Sequence, residues 1–381
     1  MQELPKQRAT IEFLPVPPEE QPESIEEQLK QTSRASVAVQ RGLVIQTAFP
    51  GDVILTTPLI RRAAERTGAP VDVITTPVAA PVLANNPHIR EVLVYDKRGR
   101  HQGVGAWWRL AQRLRLRRYS VAYLAQASLR SSLLAWAARI PRRIGFRGTQ
   151  GAWLYTHAVT MRGEPHQVER LLALADGAPD RREPEIYPSN GDRRAGEELL
   201  EEANIAGPFI AIAPGSQWGT KRWPYFAELA RALALELPVA IVGGPADRAD
   251  ARAIKNALGA GAPVADAVGR LSLLASGELI RRAAMLVSND SAPVHLASAT
   301  NTPTIELFGP TIPGFGFAAR ARFSRIVEPD PLPCRPCSHH GPAVCPLVHH
   351  RCMRDTPIAR VLADVRQVLQ IVRQQPGPRE A

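Results

Sequence analysis

At 381 residues with 45% apolar side chains, the chain suits two globular domains of roughly 150–180 residues each and is too apolar to be disordered throughout, despite 35 prolines. Its 47 Lys and Arg against 36 Asp and Glu leave a formal charge of +11, and apolar stretches such as Val82–Ala84 and Phe209–Ala213 fall far short of the ~20 residues a membrane span needs. Glu3, Lys6, Arg8 and Glu12 interrupt any apolar run at the N-terminus, so no secretory signal is read there and a cytoplasmic protein is expected.

Residues 1–38, rich in Pro, Glu and Gln without a sustained period, read as a disordered or loosely attached tail, with room for a helical turn or two over Ser24–Gln31. A buried strand at Leu43–Thr47 leads through the turn Phe49-Pro50-Gly51-Asp52 into a helix over Asp52–Arg66. Its Val53, Leu55, Leu59 and Ala63 lie on or near one face, and Asp52 sits where an N-cap would sit. Strands at Val71–Thr75, Glu91–Tyr95 and Ser120–Ala125 alternate with helices at Pro77–Asn85, Gly105–Arg115 and Ser128–Ala138. This alternation predicts a parallel sheet covered on both faces. Pro141–Gln167 reads as loop, Val168–Ala175 as a helix, and Asp180–Asp192 as an inter-domain linker.

After a helix at Arg193–Ala203 the pattern restarts. Strands at Phe209–Ala213, Val239–Val242, Val264–Ala265, Met285–Ser288 and Thr304–Phe308 alternate with helices at Pro224–Leu235, Arg248–Ala257, Leu273–Arg282 and Ala292–Ser298. Ile358–Gln374 is amphipathic, with Val361, Val365, Leu369 and Val372 on one face. The division expected is an N-terminal α/β domain over 39–185, a C-terminal α/β domain over 186–357, and a helix over 358–375 packing back across their junction. Two such domains leave a cleft outside the C-terminal ends of their strands, where a ligand binds.

The charge is uneven. From Lys97 to Gly163 there are 14 Lys or Arg and no Asp or Glu. Arginine-rich composition alone accounts for single residues; a span without acids reads better as a field for anions, whether an anionic membrane face or a phosphorylated or carboxylated substrate. The span lacks the aromatic-and-glycine motifs of nucleic-acid modules, so no nucleic-acid partner is expected.

Four loops are candidates for chemistry. Asp52 either caps its helix or points a carboxylate into the cleft as a general base. Ser216, Lys221 and Arg222 lie between a strand and a helix that opens with Pro224, where cations and free N–H groups meet phosphate oxygens. Asp290 or Ser291 starts a helix whose uncommitted N–H groups, Ala292 included, suit a diphosphate, and His295 falls on the face turned toward that end. Asp247, after Gly243-Gly244-Pro245, can accept ribose hydroxyls. Neither a phosphate loop nor a Gly-x-Gly-x-x-Gly turn is present.

All four cysteines, Cys334, Cys337, Cys345 and Cys352, lie in one segment interleaved with His339, His340, His349 and His350. Structural zinc, reduced thiols in a packed loop, and disulfides are the three readings.

Three signatures carry a family resemblance: Pro50-Gly51-Asp52-Val53 with Thr57-Pro58; Pro214-Gly215-Ser216 with Lys221-Arg222-Trp223-Pro224; and Ser288-Asn289-Asp290-Ser291-Ala292-Pro293-Val294-His295 with Phe308-Gly309-Pro310-Thr311. In this order the chain resembles the bacterial lipopolysaccharide heptosyltransferases, heptosyltransferase II-like branch, over residues 40–370. The resemblance implies a GT-B fold of two facing Rossmann-like domains, with the acceptor on the first and an ADP-sugar on the second. It matches Asp52 to the catalytic base, Lys221 to a cation near the donor phosphates and Asp290 to a donor-sugar contact. Ser291 and Ala292 match the phosphate-holding helix start, and Asp247 a ribose contact. It further implies inverting transfer of heptose from ADP-heptose to the lipopolysaccharide inner core, an anionic lipid-linked acceptor, and peripheral association with the cytoplasmic face of the inner membrane. The chain has no Asp-x-Asp motif, so its own cations are expected to replace a catalytic metal. The alternatives are another nucleotide-activated sugar with another glycan acceptor, or an inactive sugar-nucleotide adaptor.

Overall fold

The structure, a computed structural model, describes residues 40–161, 163–177 and 182–374; the expected tail over residues 1–38 lies outside them. Two six-stranded parallel sheets organise the chain. The first runs β3 (Ile89–Val94), β2 (Val71–Thr75), β1 (Gly42–Ile45), β4 (Val121–Leu124), β5 (Arg142–Phe146), β6 (His157–Val159). The second repeats the plan as β9 (Val264–Asp266), β8 (Val239–Ile241), β7 (Ile210–Ala213), β10 (Met285–Asn289), β11 (Thr304–Leu307), β12 (Ser324–Val327). Central strands are buried on both faces, which is why Leu43, Val44 and Ile45 form an unbroken apolar run without alternation. In each sheet the strand order reverses at the first and fourth strands, β1 and β4 or β7 and β10. Loops leaving those strands diverge and open a crevice.

The helices that matter for the site are α1 (Pro50–Thr67), which follows β1, then α2 (Val104–Leu116), α3 (Leu129–Ala137) and α4 (Gln167–Leu172). Beyond α5 (Asn190–Glu202), the second sheet is covered by α6 (Phe226–Leu233), α7 (Arg248–Leu258), α8 (Leu273–Arg282) and α9 (Ala292–Thr300). The described residues end in α10 (Arg351–Arg354) and α11 (Ile358–Gln374). α11 buries Val361, Val365, Val368 and Leu369 in the core of the second sheet, against α6, β11 and β12.

Several elements differ from expectation. Pro141–Gln167 is not a plain loop: it supplies β5 and β6, whose Arg142, Arg143 and His157 hide the strand pattern because they lie toward the edge of the sheet. β12 is likewise an edge strand with only Val327 fully buried. Pro77–Asn85 condenses to a 3₁₀ turn over Ala80–Leu83, since Pro77 and Pro81 each remove an N–H donor. Asp52 is not the N-cap. α1 begins at Pro50, a residue suited to the first helical position, so Phe49 caps and Asp52 falls on the third residue.

The two sheets meet through α1 and α9. Glu185 reaches back to α1, donating its N–H to Thr57 Oγ1 at 2.9 Å and pairing its carboxylate with Arg61. On the other side of the junction, Arg320 pairs with Glu169 at 2.7 Å. A methyl group at Gly51 would stand 2.6 Å from His295 Cδ2, so only glycine lets the start of α1 approach α9 so closely.

Candidate active site

Asp52 occupies the first turn of α1 and accepts the Phe49 N–H at 3.3 Å. Burial raises its pKa, while that N–H, His340 and Lys221 pull the other way. A carboxylate so poised holds a proton more readily than an exposed one, as a general base requires. The neighbouring loop is braced by Gln126, which accepts the Thr47 N–H at 3.2 Å, and by Lys97, whose Nζ donates to Thr47 O at 3.0 Å. In the sequence Lys97 only opens the basic span, and nothing local to it signals that it folds onto the end of β1.

Asn289 organises the opposite wall. At the end of β10 its side chain donates to Pro214 O at 2.7 Å and accepts the Trp223 N–H at 3.1 Å. One buried amide of the third signature therefore ties together both halves of the second. Lys221 Nζ lies 2.6 Å from Asp290 Oδ2, with both side chains at most 10% exposed, and Thr311 donates to the same oxygen at 2.6 Å. Lys221 and Asp290, expected on phosphate and sugar, thus neutralise each other here. Arg222 is turned away from that pair: it binds Asp247 at 2.8 Å, Asp250 at 2.6 Å and the Ser216 carbonyl. Asp247 also accepts the Gly244 N–H at 2.9 Å, and Ser216 Oγ accepts the Trp218 N–H at 3.3 Å.

α9 opens at Ala292, with Ser291 as N-cap and Pro293 in the first turn. Among the described residues the buried Ser291 Oγ has no hydrogen-bond partner, nor has His295 Nδ1. The helix start therefore offers both a side-chain oxygen and backbone N–H groups to a ligand. Burial pushes the His295 imidazole down to about 4, so it is neutral at physiological pH. Glu306, fully enclosed on β11, is pushed well above the ordinary carboxylate range, first by burial and then by Asp290; its Oε2 accepts the Ala319 N–H at 2.7 Å.

The cysteine segment closes over this wall. Thr220 Oγ1 donates to Pro342 O, His350 Nε2 lies 2.7 Å from Thr220 O, and the Cys337 N–H donates to Pro310 O at 2.9 Å. Gly341, at φ 78°, lies against Pro310, Thr220 and Lys221. His340 stacks on Trp218 with centroids 6.3 Å apart and is the first side chain among the influences that lower the Asp52 pKa. No sequence signal couples a histidine of this segment to Asp52; only the fold of the loop does. The four thiols are unbridged. Burial and the neighbouring Cys337 and Cys345 push Cys352 up to about 11, so the thiols are near enough to oppose one another's ionisation. Among the described residues no group of three or more His, Cys, Asp or Glu stands in metal-ligating geometry.

Two parallel sheets in Rossmann order, with a half-buried carboxylate on one and a cation and helix N-terminus on the other, define a GT-B type glycosyltransferase. The chain belongs to glycosyltransferase family 9 (heptosyltransferase), whose profile matches residues 107–343. It is 32% identical to lipopolysaccharide heptosyltransferase 1 of Pseudomonas aeruginosa over 78% of this chain and 86% of that protein. To lipopolysaccharide heptosyltransferase 2 of Salmonella typhimurium it is 29% identical, over 75% and 88%. The solved ADP-heptose lps heptosyltransferase II of E. coli superposes with a TM-score of 0.72 at 26% identity, covering 88% of this chain and 100% of that one.

Proposed function

We propose that this glycosyltransferase moves heptose from ADP-heptose to the inner core of lipopolysaccharide with inversion at the anomeric carbon. The observation that carries the chemistry is the opposition of Asp52, at the start of α1, to Lys221 and the start of α9. Asp52 takes the proton of an acceptor hydroxyl as its oxygen bonds to the anomeric carbon; the bond from that carbon to the diphosphate breaks, and its electron pair leaves with ADP. Negative charge grows where Lys221 and the Ser291 and Ala292 N–H groups stand, so these groups act mainly in the transition state. For Lys221 to meet phosphate, the donor must enter the Lys221–Asp290 pair, which leaves Asp290 for a sugar hydroxyl. Arg222 supports this wall by holding Asp247 and the Ser216 loop. Catalysis in this reading needs no metal.

A binding screen of ADP-, UDP- and GDP-sugars, followed by turnover on lipopolysaccharide core acceptors, tests the assignment. ADP-heptose is expected to bind and turn over; tight UDP-sugar binding without ADP-sugar binding would transfer the reading to another sugar. A lipid-linked acceptor supports a peripheral position for the enzyme at the cytoplasmic face of the inner membrane.

Cys334, Cys337, Cys345 and Cys352 support a structural zinc, in that a dication would relieve the mutual opposition of their thiolates once the loop tightened to ligating distance. Metal analysis of protein purified under reducing conditions decides between the readings: one zinc per chain would give the segment a structural metal. A metal-free chain with four titratable thiols would leave a packed reduced loop.

A further inference from the structure

α2, α3 and the 3₁₀ turn Ala152–Leu154 adjoin one another along the first sheet, α2 touching α3 and α3 touching the turn. Each turns an indole to solvent: Trp108 is 50% exposed, Trp136 55% and Trp153 76%. Val104 and Leu129, the opening residues of α2 and α3, add exposed apolar surface beside them. Four of the chain's six tryptophans fall in the span 97–163. Tryptophan is ordinarily well buried, and three indoles left outward on adjoining elements amount to a surface that awaits a partner.

The charges around them are equally unsatisfied. Of the described cations between Lys97 and Gly163, only Arg117 forms an ion pair. Exposed Arg109, Arg113 and Arg115 lie on α2 itself, and Arg139 just beyond α3. The flank of α2 toward β3 lines a cavity of about 510 Å³ to which Arg100, His101 and Arg113 contribute together with the carboxylates of Glu91 and Asp96, so the anion-attracting charge lies in the exposed arginines rather than in this cavity. Indoles interleaved with unpaired arginines match the bilayer interface, where rings sit at headgroup depth and guanidinium groups meet lipid phosphates.

We propose that the face formed by α2, α3 and Trp153 docks the enzyme on an anionic bilayer surface. The proposal deepens the reading of a peripheral enzyme with a lipid-linked acceptor and rests on it for its purpose. α2 and α3 begin where β3 and β4 end, beside Lys97, Gln126 and the Thr47 loop. A membrane on this face would therefore meet the acceptor side of the cleft.

The test uses the full chain with vesicles of phosphatidylcholine alone and of phosphatidylcholine mixed with phosphatidylglycerol, followed by co-sedimentation and tryptophan emission. Binding is expected only to the anionic vesicles, with a blue shift, and is expected to weaken as salt rises. The triple variant W108A/W136A/W153A is expected to lose about tenfold or more in partitioning and most of the blue shift, with an unchanged circular dichroism spectrum. Arg109→Gln with Arg113→Gln and Arg115→Gln is expected to flatten the salt dependence. Failure of the parent chain to bind anionic vesicles would overturn membrane docking, and undiminished binding by the triple tryptophan variant would overturn this face. Preference for single-stranded nucleic acid over the vesicles, lost in the same variants, would overturn the bilayer as occupant. None of these measurements uses a sugar donor or acceptor, so a failure here is distinct from a failure of the heptosyl reading.

Discussion

Asp52→Asn is expected to lower kcat by roughly 10²–10⁴-fold while leaving the Kd for donor nearly unchanged. The substitution keeps the shape of the first turn of α1 and a carbonyl oxygen for the Phe49 N–H, so it removes the proton acceptor and little else. Turnover within about tenfold of the parent would remove Asp52 as base. The pH profile gives an independent reading. Only the ionised carboxylate accepts a proton, and burial raises its pKa above the ordinary aspartate value. As pH falls through that raised value Asp52 becomes protonated and the rate falls, so the acid limb should lie above the range of an exposed aspartate. His340 and Lys221 both lower the Asp52 pKa. His340→Ala should therefore move the acid limb to higher pH, without abolishing turnover. An acid limb that stays in place in His340→Ala would show that the loop histidine does not act on Asp52.

Much of this arrangement was legible in the sequence because it rests on local rules. The apolar runs of β1, β7 and the first three residues of β10 mark buried parallel strands, and the proline in its first turn marks α9, whereas α1 starts at Pro50, two residues ahead of the start read from the sequence. The site residues Asp52, Lys221, Asp290 and Ser291 stand at strand ends, where such folds hold ligands. What the sequence concealed was long-range pairing. Lys221 and Arg222 are adjacent and look equivalent, yet one pairs with Asp290 and the other with Asp247 and Asp250, partners 25 to 69 residues away. Asn289 reads as part of a helix-start motif, while its work is to tie the Pro214 and Trp223 backbones together. β6 and β12 were obscured because strands at a sheet edge need not alternate or bury every residue, and β5, the next strand in, because it opens on the unburied Arg142 and Arg143.

Lys221→Met is expected to have two separable effects, both large. Its ammonium and the Asp290 carboxylate are buried 2.6 Å apart, so removing the cation strands a buried charge whose remaining direct support is the Thr311 hydroxyl. Breaking such a pair costs about 3–5 kcal/mol, whereas removing both charges is far better tolerated. Lys221→Met combined with Asp290→Leu should therefore recover most of the unfolding free energy lost in Lys221→Met alone, measured by denaturant titration. Activity should not recover. If Lys221 neutralises charge growing on the leaving diphosphate, its loss lowers kcat by roughly 10²–10³-fold however stable the fold. A double variant that regained both stability and turnover would make the pair a structural strut. One that regained stability alone would separate the two roles: in the resting protein Lys221 holds Asp290, and during transfer the same cation is drawn to the phosphate while Asp290 is released to the sugar.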